Sequence, residues 1–400
     1  MRHDSAIAFL IAYGPEMRAF VYSGLVERLA RRARVLLVSA SPANTIGLEA
    51  VEFPDVRESA LTERLRGVSR RLRSAGVSSA ATWERRAART LGGSAAWREL
   101  FETHKVGAIV TASYASARTL PALQSASNAG IPTVTLLNSW KDVHAKPYAP
   151  APPAAVGLCS RSERRRFLAA NPDFEDGLFE TGSLHLSAAA RCRGRLGRAD
   201  FCSRFGMDPA RPLVIYSAAA GKAAGGEDDW IQALGEMCSR DRSRPQLLVR
   251  ANPMGPERRF PAGVVWRPDW AWSAERDWCC PSLDDLRLWS AALDHMDACV
   301  CPPSTVTMEL AYAGKPAINL TGEPEWQRLW NAPFFAEARR GRWATPITGF
   351  EGLERALRDA LSGRGESPIG PPRADAVERA EALLVRTLGL AETSAAERAA

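Results

Sequence analysis

Lysine is nearly absent from this chain of 400 residues: only five occur, at 105, 141, 146, 222 and 315, although Lys and Arg together number 52. Histidine is as scarce, also with five. None of His104, His185 and His295 has a partner at metal-ligand spacing. The eight cysteines form no CxxC pair. The paired spacings that a structural zinc needs are therefore missing, and the cysteines read as free thiols of a reducing compartment. No apolar run approaches the ~20 residues of a membrane-spanning helix. The longest runs, 6–13 and 35–40, have strand length. Basic residues are scattered along the chain, with no basic arm and no basic block interleaved with aromatics, which excludes nucleic acid as the expected partner. With 46% hydrophobic and 24% charged residues the composition is that of a folded globular protein, not a disordered one. The net charge of +7 favours anionic partners, among them nucleotides and the acidic inner face of a membrane.

What is present is alternation. Strand-like apolar runs at 7–13, 35–39, 107–111, 132–137 and 154–159 are separated by helical spacings at 16–32, 116–129 and 162–170, with two Arg-rich helical stretches near 60–75 and 82–104. The run at 6–13 leads straight into the helical pattern containing Glu16 and Arg18, so it reads as a first strand, not an export signal. Between 183 and 211 the pattern lapses. A second alternation follows, with strands at 213–217, 246–250, 264–266, 298–301 and 317–320 and helices at 230–238, 283–293 and 305–313. Such alternation predicts βαβ units and parallel sheets covered on both faces. The expected domains are 1–185 and 212–350, joined by a connection at 186–211 and followed by C-terminal helices at 351–390 and a frayed tail at 391–400. Ligands of such folds bind at the carboxyl ends of the strands, here in a cleft between the two halves.

The most informative stretch is 297–320, Asp-Ala-Cys-Val-Cys-Pro-Pro-Ser-Thr-Val-Thr-Met-Glu-Leu-Ala-Tyr-Ala-Gly-Lys-Pro-Ala-Ile-Asn-Leu. A buried strand ends at Pro302-Pro303, and Ser304 and Thr305 open a helix that closes at Gly314. Backbone N–H groups, hydroxyls and the positive end of the helix dipole converge at such a start, a geometry that holds phosphate. Thr307 follows in the same turn, and Glu309 stands about one turn on, where a carboxylate would accept from ribose hydroxyls. Plain helix capping explains the same serine and threonine.

This stretch resembles the C-terminal donor-site signature of GT-B glycosyltransferases and their relatives, the nucleotide-sugar 2-epimerases and the CDP-glycerol glycerophosphotransferases. The segment 247–253, Leu-Leu-Val-Arg-Ala-Asn-Pro, is similar to a strand that ends in Arg-x-His-Pro in those families; Arg250 matches, and Asn252 replaces the histidine. The strand 213–217 with Ser217, followed by Gly221 and Lys222, resembles the first strand and phosphate-side loop of the donor domain. In the first half, Ser139, Trp140 and Lys146 match a Ser-Trp-Asp-Asn-x-x-x-Lys segment of bacterial surface-glycan glycosyltransferases, with Lys141 and Asp142 in place of its Asp and Asn. The segment Tyr13-Gly14-Pro15-Glu16 resembles a Gly-x-Arg-Pro-Glu loop of the epimerases without its arginine. The resemblance implies an α/β GT-B fold of two Rossmann-like domains facing a central cleft. It also implies a donor site made of Ser304, Thr305, Thr307, Glu309, Arg250, Asn252, Ser217, Gly221 and Lys222.

An inverting enzyme of this type needs a base to take the acceptor's hydroxyl proton. The candidates are Glu16, Asp142 and His144, with Gly14, Ser139, Trp140 and Lys146 on the acceptor side. No metal and no cofactor is expected, the nucleotide sugar being a substrate whose leaving charge is met by Ser304, Thr305, Lys222 and Arg250. The implied function is transfer of a sugar from a nucleotide-sugar donor to a glycan or lipid-linked acceptor in cell-surface polysaccharide synthesis, in the cytoplasm, with peripheral contact to the inner membrane face. A polyol-phosphate transferase or a nucleotide-sugar epimerase of the same fold is the alternative. A non-catalytic nucleotide-binding protein is the second.

Overall fold

A computed structural model describes residues 4–40, 47–56, 58, 60–75, 77, 79–91, 93–239, 245–254, 257–273, 278–364 and 375–391. The chain divides into two units: unit 1 takes 1–187, 273–280 and 375–400, and unit 2 takes 188–272 and 281–374.

Unit 1 is built on seven strands: β1 (Ala6–Ile11), β2 (Val35–Ser39), β3 (Ala50–Glu52), β4 (Val106–Thr111), β5 (Thr133–Leu136), β6 (Ala155–Leu158) and β7 (Leu178–Glu180). All pair in parallel, in the order β3-β2-β1-β4-β5-β6-β7. Every residue of β1 is buried, as expected of a central strand with both faces covered. The core on one face gathers Ala6, Ala8, Leu10, Leu36, Val38 and Ile109 around Trp97 and Phe101. The strand order reverses between β1 and β4, so the carboxyl ends of these two strands open the crevice where such sheets take ligands.

Unit 2 holds β8 (Leu213–Ser217), β9 (Gln246–Arg250) and β10 (Val264–Trp266). In chain order β11 (Trp270–Ser273) and β12 (Trp278–Pro281) come next, outside this sheet and with residues 273–280 belonging to unit 1, and unit 2 continues with β13 (Ala298–Cys301), β14 (Ala317–Leu320) and β15 (Thr345–Ile347). Its six-stranded parallel sheet has the order β10-β9-β8-β13-β14-β15. The reversal falls between β8 and β13, and β13 leads directly into the helix Thr305–Ala313. The core centres on Val214, Tyr216, Val249, Val300, Ile318 and Leu320, closed by Trp230, Ile231 and Trp326.

The α/β class and the two parallel sheets agree with the sequence reading. Several boundaries differ, each for a local reason. The helix expected over 16–32 is a short turn, Gly14–Glu16, then a π-helix, Met17–Tyr22, then a separate helix, Leu25–Ala30. Gly24 breaks it with φ of 90°, a left-handed conformation that glycine adopts without strain. The stretch 186–211 is not a bare connection. From Ala188 it belongs to unit 2, where Arg193 bonds Asp294 at 2.6 Å and Arg198 bonds Asp297 at 3.0 Å. The C-terminal helices also separate. Phe350–Leu361 covers the unit 2 sheet, whereas Ala376–Leu388 packs in unit 1 against Leu25–Ala30. There the buried Glu381 receives Nε of both Arg28 (2.6 Å) and Arg32 (2.9 Å). This long-range ion pairing has no local sequence signal. Of the expected frayed tail, 392–400 lies outside the described residues.

Candidate functional site

In unit 1 the chain leaves β1 and turns at once into Gly14-Pro15-Glu16, with Tyr13 extended (φ −138°) as the cap. Proline at the second position favours this start because its ring presets φ. The turn folds Glu16 back so that its Oε2 accepts the Tyr13 N–H at 2.8 Å, and the side chain is 4% exposed. Burial pushes the Glu16 carboxyl up to about 8, against N–H groups of Tyr13 and Ala12 that favour its charged form. The Asp142 charge raises it further and Arg118 lowers it. Arg118 is held beside the pair, donating to the Ala12 carbonyl at 3.2 Å with its guanidinium 4.9 Å from the centre of the Tyr13 ring.

Asp142 begins the short helix Asp142–Ala145 after β5, and its Oδ2 accepts the Ser139 N–H at 3.0 Å. Burial raises its carboxyl, while Lys141, the N–H groups of Ser139 and Asn138, and Lys146 act in the opposite direction. His144, two residues on, is held below its ordinary range by burial and then by Arg166, so the imidazole is neutral near pH 7. The structure thus brings Glu16 and Asp142 into electrostatic contact at the carboxyl ends of β1 and β5.

Residues that the sequence reading did not single out complete this cluster. Tyr114, after β4, is 2% exposed, and its hydroxyl is pushed up by burial and then by the Asp142 and Glu163 charges. Glu163 in turn accepts the Cys159 N–H at 2.8 Å. The buried atoms Tyr114 Oη, Asn138 Oδ1, Ser139 Oγ and Ser183 Oγ have no hydrogen-bond partner among the described residues. Buried polar groups are nearly always paired, so orphans gathered at the carboxyl ends of β4, β5 and β7 mark a place built for a polar ligand. Ser139 was expected on the acceptor side; for the others the only sequence signal was position just past a strand end.

Gly14 plays a different part from the expected one. A Cβ there would stand 1.7 Å from the Cys279 carbonyl oxygen and 2.6 Å from Cys280 Cα, so this face of the loop is covered by backbone. Only glycine admits that approach, and an acceptor does not meet Gly14 on this side. Trp140 is buried, whereas Lys146 caps the helix Asp142–Ala145 and is exposed.

In unit 2, Ser304 is the N-cap of Thr305–Ala313, and its Oγ accepts the Val306 N–H at 3.3 Å. Gly314 ends the helix in a left-handed cap, φ 67°. Ser304 and Thr305 are partly exposed at the switch point, the position expected for phosphate. Thr307 faces inward: it is fully buried and its Oγ1 donates to Asn319 Oδ1 at 3.0 Å. Glu309 is also buried, and its Oε2 accepts from the indole N–H of Trp289.

Arg250, at the end of β9, is enclosed by the Trp266 and Trp289 rings, 5.1 and 4.7 Å from their centres, and lies 3.6 Å from Asp285. Asp285 also accepts from the Trp270 indole at 2.8 Å. Tryptophans of the stretch 266–289 therefore pack a buried arginine. Asn252 folds onto its own turn, donating to the Ala218 carbonyl (3.3 Å) and accepting the Met254 N–H (2.9 Å). Ser217 is buried at the end of β8, and Gly221 adopts φ of 60° in the following turn. The side chain of Lys222 lies outside the described residues. Beside this loop, buried Glu227 accepts from Tyr216 (3.0 Å) and the Ala219 N–H (2.8 Å), and burial pushes its carboxyl up to about 7. Among the described residues no group of three His, Cys, Asp or Glu side chains is placed to hold a metal.

Compared with solved structures, the chain is similar to a putative UDP-N-acetylglucosamine 2-epimerase from Listeria monocytogenes. The TM-score is 0.63 at 12% identity, covering 96% of each chain. It is similar to the UDP-GlcNAc 2-epimerase from Neisseria meningitidis bound to UDP-GlcNAc, with TM-score 0.59, 9% identity and coverage of 95% of this chain and 100% of that one. It is also similar to the wall teichoic acid polymerase TagF, with TM-score 0.55, 9% identity and coverage of 96% and 90%. No family model matches the sequence, and no curated protein does. The fold is therefore the GT-B fold expected from the sequence, with two Rossmann-like units.

Proposed function

We propose that this chain is a metal-independent glycosyltransferase that moves a sugar from a nucleotide-sugar donor to a hydroxyl of a glycan or lipid-linked acceptor. The observation that carries the reading is the buried Glu16, coupled to the half-buried Asp142, among orphaned polar atoms. The Glu16 carboxyl, pushed up to about 8, can exchange a proton near neutral pH, which is what a general base needs, and burial raises the Asp142 carboxyl in the same direction. In the reaction, a carboxylate of this pair takes the acceptor's O–H proton and the freed oxygen attacks the anomeric carbon. The bond from that carbon to the diphosphate oxygen breaks, and the charge left on the nucleotide is met at the start of Thr305–Ala313 by backbone N–H groups and the helix dipole. Support for a uridine nucleotide comes from the UDP and UDP-GlcNAc complexes among the similar structures.

Glu309, anchored by Trp289, is the proposed ribose acceptor. Glu309→Gln retains an oxygen for the indole N–H, so the fold should survive while UDP affinity weakens by about 1–3 kcal/mol, the scale of a charged hydrogen bond. Calorimetric titration with UDP, CDP, GDP and dTDP reads this directly, and equal affinity in the variant and the parent would remove Glu309 from the donor site.

A second reading is favoured by the likeness, over 96% of both chains, to a structure described as an epimerase. The same carboxyl pair would then remove a proton from sugar carbon. Incubation with UDP-GlcNAc in D2O separates the two. Acceptor-dependent release of UDP, unchanged by EDTA, supports the transferase. Deuterium incorporated into the sugar without an acceptor supports the epimerase.

A further inference from the structure

The two Arg-rich stretches of the first half play no part in either site. The first forms the helix Ala60–Ser74, and the second, expected over 82–104, is two helices, Ser79–Leu91 and Ala95–Thr103; Ala60–Ser74 and Ser79–Leu91 pack on each other, and Ser79–Leu91 packs on Leu120–Asn128. Their burial is inverted. The side turned inward is polar: Thr62, Ser69 and Glu84 are buried, Ser69 donates to the Ala80 carbonyl at 3.0 Å, and Arg73 bonds both Ser69 and Glu84. The side turned outward carries large apolar residues among charged ones. Of the ten large hydrophobic residues exposed in the described chain, Leu61, Val68, Leu72, Val77 and Trp83 fall within this short stretch, so the exposure is local and not general. Leu61 and Val68 are 55% and 48% exposed. With Leu72 they recur at seven and four residues and so stand along one helix face.

Arg64 and Arg71, also exposed, flank that stripe on the same side, and Arg70 and Arg86 are exposed on the same helix pair against a single exposed acid, Glu63. Exposed apolar patches of this kind mark an interaction surface. We propose that this helix pair is a docking surface for an anionic phospholipid bilayer. Leucine, valine and tryptophan side chains enter the interfacial region, and the arginines keep their heads at the phosphate level. The positive charge favours acidic lipid over a neutral one. None of the described helices is long and apolar enough to cross a membrane, so the contact is lateral.

The test is flotation of the full chain with vesicles of phosphatidylcholine containing phosphatidylglycerol, and with phosphatidylcholine alone. Binding is expected to the mixed vesicles and to weaken in high salt. The triple variant Leu61→Ser, Val68→Ser, Leu72→Ser and the double variant Arg64→Glu, Arg71→Glu should each lower partitioning by roughly tenfold or more. All five positions are exposed, so circular dichroism melts should match the parent. Failure of the parent to bind mixed vesicles, or undiminished binding by both variants, would overturn the proposal. So would a parent that dimerises in lipid-free solution and becomes monomeric in the triple variant, which would assign the surface to a second copy of the chain.

Discussion

Glu16→Gln is expected to lower turnover by about 10²–10⁴-fold, the contribution of a positioned general base. Donor affinity, which the proposed function assigns to unit 2, should hold. The parent's kcat/KM should rise with pH and level off above about 8, where the Glu16 carboxyl ionises. In the variant that inflection should vanish. Stability gives a second readout of the same group. The folded chain holds the Glu16 proton up to about 8, whereas the unfolded chain releases it near the ordinary 4.5. Folding therefore takes up a proton between these limits, and stability falls as pH rises through the window, by up to about 1.4 kcal/mol per unit. It is fully present below 4.5 and levels off above 8. Glu16→Gln should flatten this slope, as read from denaturant midpoints at a series of pH values. Full turnover in the variant, with the same pH profile, would remove Glu16 from catalysis. Asp142→Asn combined with His144→Ala then asks whether the neighbouring groups carry the proton instead.

Gly14→Ala is expected to destabilise unit 1 by about 3 kcal/mol or more, at the upper end of overpacking effects, because the atoms it strikes are backbone and cannot rotate away. The added methyl must either displace the Cys279–Cys280 backbone or shift the turn that positions Glu16, two residues on. Activity should fall with stability, and thermal unfolding monitored alongside turnover will show both. A variant that melts with the parent and keeps its activity would show that the backbone yields there at no cost.

Histidine is usually the first residue sought as a base, yet the two carboxyls near β1 and β5 were as visible in the sequence as His144. What raised them above it was burial and mutual charge, which depend on packing from four strand ends. The tryptophans of 266–289 show the reverse. Indole faces can stack on sugars, but Trp266 and Trp289 enclose Arg250, and Trp270 bonds Asp285. A side chain's type is written locally; its partner is not.

Period and punctuation were enough to determine the α/β class, the positions of most central strands, the helix start at Ser304 and its stop at Gly314. These depend on contacts within a few residues, such as hydrophobic runs buried on both faces, a serine cap and a left-handed glycine. The inversion of the helix pair 60–91 was also latent there, as leucines and valines at helical spacing, but spacing does not say which face is covered. Tertiary structure alone decided that the last helix returns to unit 1 through Glu381, that Cys279–Cys280 closes over Gly14, and that Glu16 and Asp142 share one environment. Each joins residues more than a hundred positions apart in the chain, where the free energy comes from burial and charge pairing that exist only once the sheets have formed.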